Sequence, residues 1–329
     1  MKTTLCVMFN HPYVKNIPLI RQMLCPSFDS VVFVIPYTVS SDEDVVTSYR
    51  GSYGFHGYVV DVAEKLLQSD TDYFFFMQDD VVLNPHLRGD ILVEKLRLKD
   101  GGAFIPAFRP LAGELRDWDW TLAAIWKILF PMNRMNGSGA EQWLAALPDA
   151  EQNFSRLRTK YGFNFQPVTF DRSNRHVFHG IVPDPYHSTS IYRAACEGLF
   201  EAVDGRSSFR LPYPFCYGMS DFFAVDRETL IEMLHPLGVF SAAGLFVETA
   251  IPTAIAVAAR RVMQCADVGL VANWLWGDRQ ALDVDYVKKQ FEDNLLLVHP
   301  VKISQDEALY RTLHDVATNQ PGKASGVVA

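Results

Sequence analysis

Two adjacent carboxylates that follow a strongly apolar run are the residues best suited to chemistry in this sequence. The run at residues 73–77 reads YFFFM, and Gln78, Asp79 and Asp80 come directly after it. Neighbouring carboxylates repel each other unless a cation or a donor satisfies them, and hard oxygen ligands suit Mg²⁺ or Mn²⁺ shared with substrate phosphates. The pair therefore indicates a metal site, with an acidic turn before Asn84 as the alternative.

Two more carboxylates and a histidine are candidates elsewhere in the chain. Glu248 is almost alone in the apolar stretch 235–259, where burial would raise its pKa toward that of a general base. A structural carboxylate at a helix N-terminus is the alternative. Asp221 precedes an apolar run and is a second candidate base or hydrogen-bond acceptor, or an acid in a turn. His299 closes another run, where its imidazole could reach a metal or a diphosphate, or could be structural.

Short β-rich runs alternate with helical patterns over about the first hundred residues, which is typical of β-α-β units on a mainly parallel sheet. Apolar runs predict strands at residues 5–9, 31–35, 73–77 and 103–106, and helical spacing predicts helices at about 58–69 and 87–99. Ligands bind outside the carboxyl ends of such strands. We therefore expect Asp79 and Asp80 at the binding edge of a doubly wound α/β sheet.

Regular patterns return after a loosely patterned, largely helical or irregular insertion at about 107–210. We predict a strand at 222–225, a helix at 227–234 that Asp226 caps, a loop, a buried helix at 248–261, a helix at 283–294 and an apolar run at 295–298. We expect one domain over residues 1–314, with halves at about 1–106 and 211–314. Residues 315–329 are small and polar, and we expect them to be disordered.

The composition excludes several classes of protein. The 329 residues carry a net charge of -8 with no basic run, which argues against nucleic-acid binding, and 49% apolar content predicts a sizeable core. Five cysteines without C-x-x-C spacing fit neither a disulfide framework nor a structural zinc site, so we expect a reducing compartment. No secretory signal is recognisable at the start of the sequence. We therefore expect a cytoplasmic protein.

An aromatic cluster lies within the predicted insertion. It consists of Trp118, Trp120, Trp126 and Phe130, close to several basic residues. Such a segment could dock peripherally on a membrane that carries a lipid-linked acceptor, or could stack on acceptor sugars. Packing in the core is the alternative that involves no partner.

The segment FFFMQDDVVLNP resembles the Asp-x-Asp type motif of nucleotide-sugar glycosyltransferases of the GT-A fold. The segments YGMSDFFAVDRETL and FVETAIPTAI resemble that family's acceptor-side strand and helix and the segment with its catalytic acid. LLLVHPVK offers a histidine where the family often completes the metal site. The resemblance covers about residues 1–106 and 211–302, and implies a GT-A-like, Rossmann-like fold with a nucleotide-sugar donor.

On the donor side, the resemblance implies that Asp80 and His299 hold Mn²⁺ or Mg²⁺ against the donor diphosphate. Gln78 stands in the first acidic position of the motif, where the family contacts sugar or ribose, and Asp79 belongs to the same donor-binding segment. Asn10 ends the first predicted strand, where this fold holds the nucleotide base. A plain turn is the alternative for Asn10.

On the acceptor side, the resemblance implies that Glu248 is the base of an inverting sugar transfer and that Asp221 is a second catalytic candidate. The acceptor would be a glycan or a lipid-linked molecule, as in polysaccharide biosynthesis. Thr249 stands where the family usually has an Asp, and this departure leaves a non-catalytic sugar- or nucleotide-binding protein open. A metal-dependent phosphohydrolase built on Asp79, Asp80 and His86 is a further alternative.

Overall fold

The computed structural model describes residues 1–51, 54–113, 128, 141–168, 210–274 and 284–314. Its strands are Thr3–Met8 (β1), Ser30–Pro36 (β2), Val45–Ser48 (β3), Tyr73–Gln78 (β4), Val82–Leu83 (β5), Gly102–Phe104 (β6), Phe108–Pro110 (β7), Cys216–Gly218 (β8), Phe222–Asp226 (β9), Arg261–Met263 (β10), Val271–Trp274 (β11) and Leu295–His299 (β12). Its α-helices are Ile17–Leu24 (α1), Phe55–Gln68 (α2), Gly89–Lys95 (α3), Leu98–Gly101 (α4), Glu141–Ala145 (α5), Ala150–Tyr161 (α6), Arg227–Ala243 (α7), Val247–Ala258 (α8), Cys265–Val268 (α9), Val284–Asp293 (α10) and Glu307–His314 (α11).

A seven-stranded sheet in the order β10-β6-β9-β4-β1-β2-β3 forms the centre of the molecule. Its strands pair in parallel except around β9, which runs antiparallel to both of its neighbours, β4 and β6. A three-stranded sheet, β11-β12-β5, and a two-stranded sheet, β7-β8, lie beside it. The predicted fold class, an α/β architecture with a mainly parallel central sheet flanked by helices, is confirmed.

The apolar run of β4 is continuous because both faces of the sheet are covered. Successive side chains of a strand point to opposite faces. Phe74 and Phe76 belong to the hydrophobic cluster that includes α2, α7 and α8, whereas Phe75 and Met77 belong to the cluster that includes α1, α3 and α10. The ring of Phe76 stacks on that of Phe223 in β9, with centroids 4.6 Å apart. This packing holds β4 and β9 side by side.

The helix that follows β9 is longer than predicted. Asp226 caps it as expected, since its carboxylate accepts a hydrogen bond from the backbone N–H of Thr229 at 2.8 Å. The expected loop from residue 235 is wrong, because the helix continues through Pro236 to Ala243. Leu237 and Phe240 on this continuation are fully buried. Their burial offsets the backbone hydrogen bond that proline removes from a helix interior.

Two other predicted helices have different bounds in the structure. The segment predicted as one helix at 87–99 forms two, α3 and α4, because Arg97 between them takes a left-handed backbone conformation with φ of 53°. The helix predicted at 248–261 ends at Ala258, and residues 261–263 form β10 at the edge of the central sheet.

The described part of the predicted insertion contains α5 and α6, and α6 packs its basic side chains on the end of α8. Arg156 donates to the carbonyl oxygens of Val257 and Ala259, and Lys160 donates to that of Ala259 at 2.6 Å. These are carbonyls that a helix C-terminus leaves without intrahelical partners. The cationic side chains of α6 therefore cap α8. Trp118, Trp120, Trp126 and Phe130, and the tail 315–329, lie outside the described residues, so the expectations for them stay predictions.

None of the helices in the described ranges combines the length and the apolar character that a membrane crossing requires. The cysteines within those ranges, Cys6, Cys25, Cys216 and Cys265, are free thiols. Burial raises the pKa of the Cys265 thiol to about 12, which keeps it protonated and unreactive at neutral pH.

Gly218 in β8 tests how closely the two-stranded sheet is packed, because it lies against the residue that precedes β7. A Cβ at this position would lie 2.2 Å from the carbonyl oxygen of Ala107, a backbone atom that cannot rotate away. We expect Gly218→Ala to lower the free energy of unfolding by about 1–3 kcal/mol. The measurement is chemical denaturation followed by circular dichroism.

Gly238→Ala is the matched control for this substitution. A Cβ at Gly238 would meet no heavy atom within 4 Å outside its own stretch of helix. Alanine is favoured over glycine in a helix interior by about 1 kcal/mol, so this variant should be as stable as the parent or more stable. Equal stability of the two variants would contradict the packing described for Gly218.

Candidate functional site

The site lies where the carboxyl ends of β1 and β4 meet the beginning of β9. Because β9 is antiparallel to β4, its first residues lie at the edge where β4 ends. The backbone N–H of Gln78 donates to the carbonyl oxygen of Asp221 at 2.9 Å, and that of Asp79 donates to Met8 at the end of β1 at 3.0 Å. Residues from three separate segments therefore meet at one edge of the sheet, the edge at which α/β proteins bind ligands.

The three-stranded sheet brings the end of β12 to the same place. β12 pairs antiparallel with β5, the two-residue strand that follows the Asp-Asp turn. The N–H of Val301, just after the cis peptide bond between His299 and Pro300, donates to the carbonyl oxygen of Asp80 at 2.7 Å. The backbone of residues 299–302 is thereby held against the turn that carries Asp80.

Four ionisable side chains converge at this point. Nε2 of His299 lies 3.2 Å from Oδ1 of Asp80 and 3.6 Å from Oδ1 of Asp221, and the ammonium group of Lys302 pairs with Oδ2 of Asp80. The exposed side-chain fractions are 1% for His299, 4% for Asp80, 9% for Asp221 and 30% for Lys302. His299, Asp80 and Asp221 are buried, and Lys302 is the most exposed member of the cluster.

The environment gives these groups different protonation behaviour. Burial acts to raise the pKa of Asp80, but hydrogen bonding and charge from His299 and Lys302 outweigh it and hold the pKa below its ordinary value. Burial raises the pKa of Asp221, and the charge of His299 only partly opposes this. Burial acts to lower the pKa of His299, but the charges of Asp221 and Asp80 outweigh it and raise the pKa. Asp80 is therefore an ionised carboxylate at neutral pH.

Asp79 has a different partner from its neighbour. Its Oδ1 accepts hydrogen bonds from the backbone N–H of Asn10 at 3.0 Å and from Nδ2 of Asn10 at 3.3 Å. The same Nδ2 lies 3.2 Å from Oε1 of Gln78. The predicted donor-binding residues Asn10, Gln78 and Asp79 therefore lie together. Burial and the charge of Asp80 raise the pKa of Asp79 to about 7.

Glu248 lies in the first turn of α8 and is half-buried. Ser220, which precedes Asp221, donates from its hydroxyl to the carbonyl oxygen of Val247 at 3.4 Å, and so links the site segment to the start of α8. A carboxylate in a first turn is favoured by the helix dipole whatever its function. Thr249 is fully buried, so the position where the family has an Asp lies in the core. The catalytic role of Glu248 stays a prediction.

Lys302 is a site residue that the sequence patterns did not single out. Lys302 is the last residue of the segment LLLVHPVK and follows His299 by three positions. Nothing local in this sequence marks a lysine after His-Pro as a partner of an aspartate more than two hundred residues earlier. The pairing depends on β12 meeting β5.

Asp80 and His299 supply an oxygen and a nitrogen that could bind a divalent cation. Within the described ranges, no group of three or more His, Cys, Asp or Glu side chains is arranged as a metal centre. Asp80 Oδ1 and His299 Nε2, 3.2 Å apart, suit two neighbouring ligands of one ion with bonds of about 2.1 Å. Mg²⁺ and Mn²⁺ commonly take few protein ligands and complete their coordination with water and substrate phosphates. The two residues therefore fit an ion that is shared with a phosphate ligand.

No protein-family model and no curated protein sequence matches this chain. A solved structure with some similarity is core-mannan synthase A (CmsA/Ktr4) from Aspergillus fumigatus in its Mn/GDP form, at 10% sequence identity and a TM-score of 0.36. The match covers 81% of this chain and 73% of that one.

The raised pKa of Asp79 predicts a pH-dependent effect of substitution. The carboxyl has an ordinary pKa of 3.8 and a folded-state pKa of about 7. The contribution of this carboxyl to the stability of the folded state is therefore fully present below about pH 4, and it is lost as the pH rises through about 7. Asparagine keeps the acceptor oxygen for Asn10 without a charge. Asp79→Asn should unfold at a higher temperature than the parent at about pH 8, and this advantage should shrink toward about pH 4.

Asp80→Asn is the control, because the pKa of Asp80 is shifted in the opposite direction. Removing its charge should lower the melting temperature at about pH 8, since His299 and Lys302 lose their ionic partner. Both variants are compared with the parent by thermal unfolding in the presence of a chelator. A lower melting temperature for both variants at about pH 8 would contradict the different environments assigned to the two aspartates.

Proposed function

We propose that this chain is a glycosyltransferase that moves a sugar from a nucleotide-diphosphate donor to a glycan or lipid-linked acceptor. One observation carries the proposal: Asp80, His299 and Asp221 converge at the carboxyl edge of the sheet, beside Asn10 and the Gln78–Asp79 pair. A buried carboxylate next to a buried imidazole at this edge suits a divalent cation bound together with a diphosphate. The neighbouring amide and carboxyl groups suit the nucleoside part of such a donor.

On the donor side, Asp80 and His299 would hold Mn²⁺ or Mg²⁺. When bound, the ion would neutralise the charge that develops on the leaving diphosphate. Asn10, Gln78 and Asp79 would contact the base, ribose or sugar. The hydrogen bonds from Asn10 to Asp79 and Gln78 orient these side chains before any ligand arrives, and such preorganisation lowers the entropic cost of binding.

On the acceptor side, we assign Glu248 as the general base of an inverting transfer. Its carboxylate would take the proton of the acceptor hydroxyl as that oxygen attacks the anomeric carbon, and the bond from this carbon to the diphosphate oxygen would break. Asp221 would accept a hydrogen bond from the acceptor, and it is the second candidate base because burial raises its pKa above the ordinary value.

Asp80→Ala tests the donor site through binding. In the parent, UDP or GDP with Mn²⁺ should raise the melting temperature, because a ligand that binds only the folded state stabilises it by mass action. Asp80→Ala should lose the Mn²⁺-dependent part of this rise. Each variant is compared with its own melting temperature without ligand, so that a change in basal stability does not interfere.

Asp90→Ala is the matched control, because Asp90 pairs with Arg88 at the surface and is 56% exposed. It should keep the full response to Mn²⁺ and nucleotide. An undiminished Mn²⁺-dependent rise in Asp80→Ala would overturn the assignment of Asp80 to the metal.

Glu248→Gln tests the chemical step separately from binding. Glutamine keeps the size and most hydrogen bonds of glutamate but removes the basic oxygen. Donor affinity measured by calorimetry should survive, whereas the rate of sugar transfer should fall by about 10² or more. Glu228→Gln is the control, since Glu228 also lies in the first turn of a helix and is exposed. Near-parental transfer by Glu248→Gln would return the role of base to Asp221 or indicate a retaining mechanism.

A further inference from the structure

The two oxygens of the Asp80 carboxylate have different partners, and one of these partners is a lysine. Oδ1 faces the imidazole of His299, whereas Oδ2 pairs with the ammonium group of Lys302. Asp80 is 4% exposed, and a carboxylate buried to this degree requires a compensating charge. Lys302 supplies that charge from within the chain.

The ammonium group pairs with the same carboxylate that a divalent cation at Oδ1 of Asp80 and Nε2 of His299 would need. An ion bound to Asp80 would have to share the carboxylate with Lys302 or displace it, and two positive charges a few ångströms apart repel strongly in a buried site. Lys302 therefore opposes the binding of a metal ion that arrives alone. This electrostatic repulsion is relieved when the lysine can pair with an anionic group of a ligand instead of Asp80.

The backbone of Lys302 is fixed while its side chain can move. The N–H of the preceding residue, Val301, donates to Asp80, and the carbonyl oxygen of Lys302 accepts from the N–H groups of Gln305 and Asp306, each at 2.9 Å. The side chain has a flexible four-carbon stem and is 30% exposed, in contrast to the buried Asp80 and His299.

We propose that Lys302 is a tethered cation that compensates the charge of Asp80 when no divalent ion is bound, and that it moves to a phosphate of the ligand when ion and diphosphate bind together. The movement of Lys302 to a phosphate rests on the proposed function, whereas the competition between Lys302 and a metal ion for Asp80 does not. The arrangement makes the binding of metal and diphosphate mutually dependent. By linkage, each should raise the affinity for the other by the same factor.

Metal binding without any nucleotide tests the competition. The electron paramagnetic resonance signal of free Mn²⁺ falls as the ion binds, so it reports affinity directly. Lys302→Met should bind Mn²⁺ at least about tenfold more tightly than the parent, because the competing charge is gone. Lys302→Gln should show the same gain and keeps a hydrogen-bond donor for Asp80, which protects the fold if the methionine variant is unstable.

Three controls make the result specific. Lys302→Arg should bind Mn²⁺ as weakly as the parent, because the positive charge remains. Lys99→Met removes an exposed lysine that pairs with Glu94, and should also behave like the parent. Adding Asp80→Asn to Lys302→Gln should abolish the gain. Equal Mn²⁺ affinity in the parent, Lys302→Met and Lys302→Gln would overturn the proposal.

Measuring Mn²⁺ affinity in the presence of a nucleoside diphosphate distinguishes this proposal from the proposed function. In the parent, UDP or GDP should raise the affinity for Mn²⁺ strongly, and in Lys302→Gln the same nucleotide should raise it several-fold less, because no lysine moves to the phosphate. A gain in Mn²⁺ affinity in Lys302→Gln without any nucleotide binding would support the competition and count against the glycosyltransferase. A full nucleotide effect in Lys302→Gln would overturn the movement of Lys302 to the phosphate.

Discussion

The antiparallel insertion of β9 between β4 and β6 is the constraint on which the site depends. A parallel strand in that position would begin at the far edge of the sheet and would leave Asp221 remote from the end of β4. Because β9 runs in the opposite direction, the carbonyl oxygen of Asp221 accepts a hydrogen bond from Gln78. The aromatic stacking between β4 and β9 stabilises the pairing from the core side. Carboxylates distant in sequence are thereby held at one edge.

The site also depends on different environments for its two neighbouring buried acids, Asp79 and Asp80. Asp79 accepts hydrogen bonds from Asn10 and has a pKa raised to about 7, whereas Asp80 faces His299 and Lys302 and has a lowered pKa. Groups whose pKa values are pushed apart can perform different tasks at one pH. Asp80, which is ionised, is available to a cation, and Asp79 is available for hydrogen bonding. Burial without these separate partners would leave both carboxylates unfavourable in the folded state.

The helix that carries Glu248 is anchored at both ends by segments outside it. Ser220 hydrogen-bonds the first carbonyl of α8, and the side chains of Arg156 and Lys160 bond the carbonyls at its other end. In the middle, the hydroxyl of Thr253 accepts from the backbone N–H of Cys216 at 2.9 Å and so joins α8 to β8. These contacts fix the position of the helix that carries Glu248, and the proposed catalytic role would require such support, because small displacements of a reacting group reduce catalysis strongly.

Local patterns determined much of this protein. The alternation of apolar runs with helical spacing predicted the mainly parallel sheet, and the polar residues after YFFFM predicted which edge of it carries the candidate site, since both depend on neighbours along the chain. The continuation of α7 through Pro236 was not predictable in this way, because it depends on burial of Leu237 and Phe240 against other elements. The pairing of β12 with β5, and with it the contact of Lys302 and His299 with Asp80, was decided only by the tertiary structure. Such contacts join residues more than two hundred positions apart, and no local spacing or propensity encodes which distant strand a short apolar run will meet.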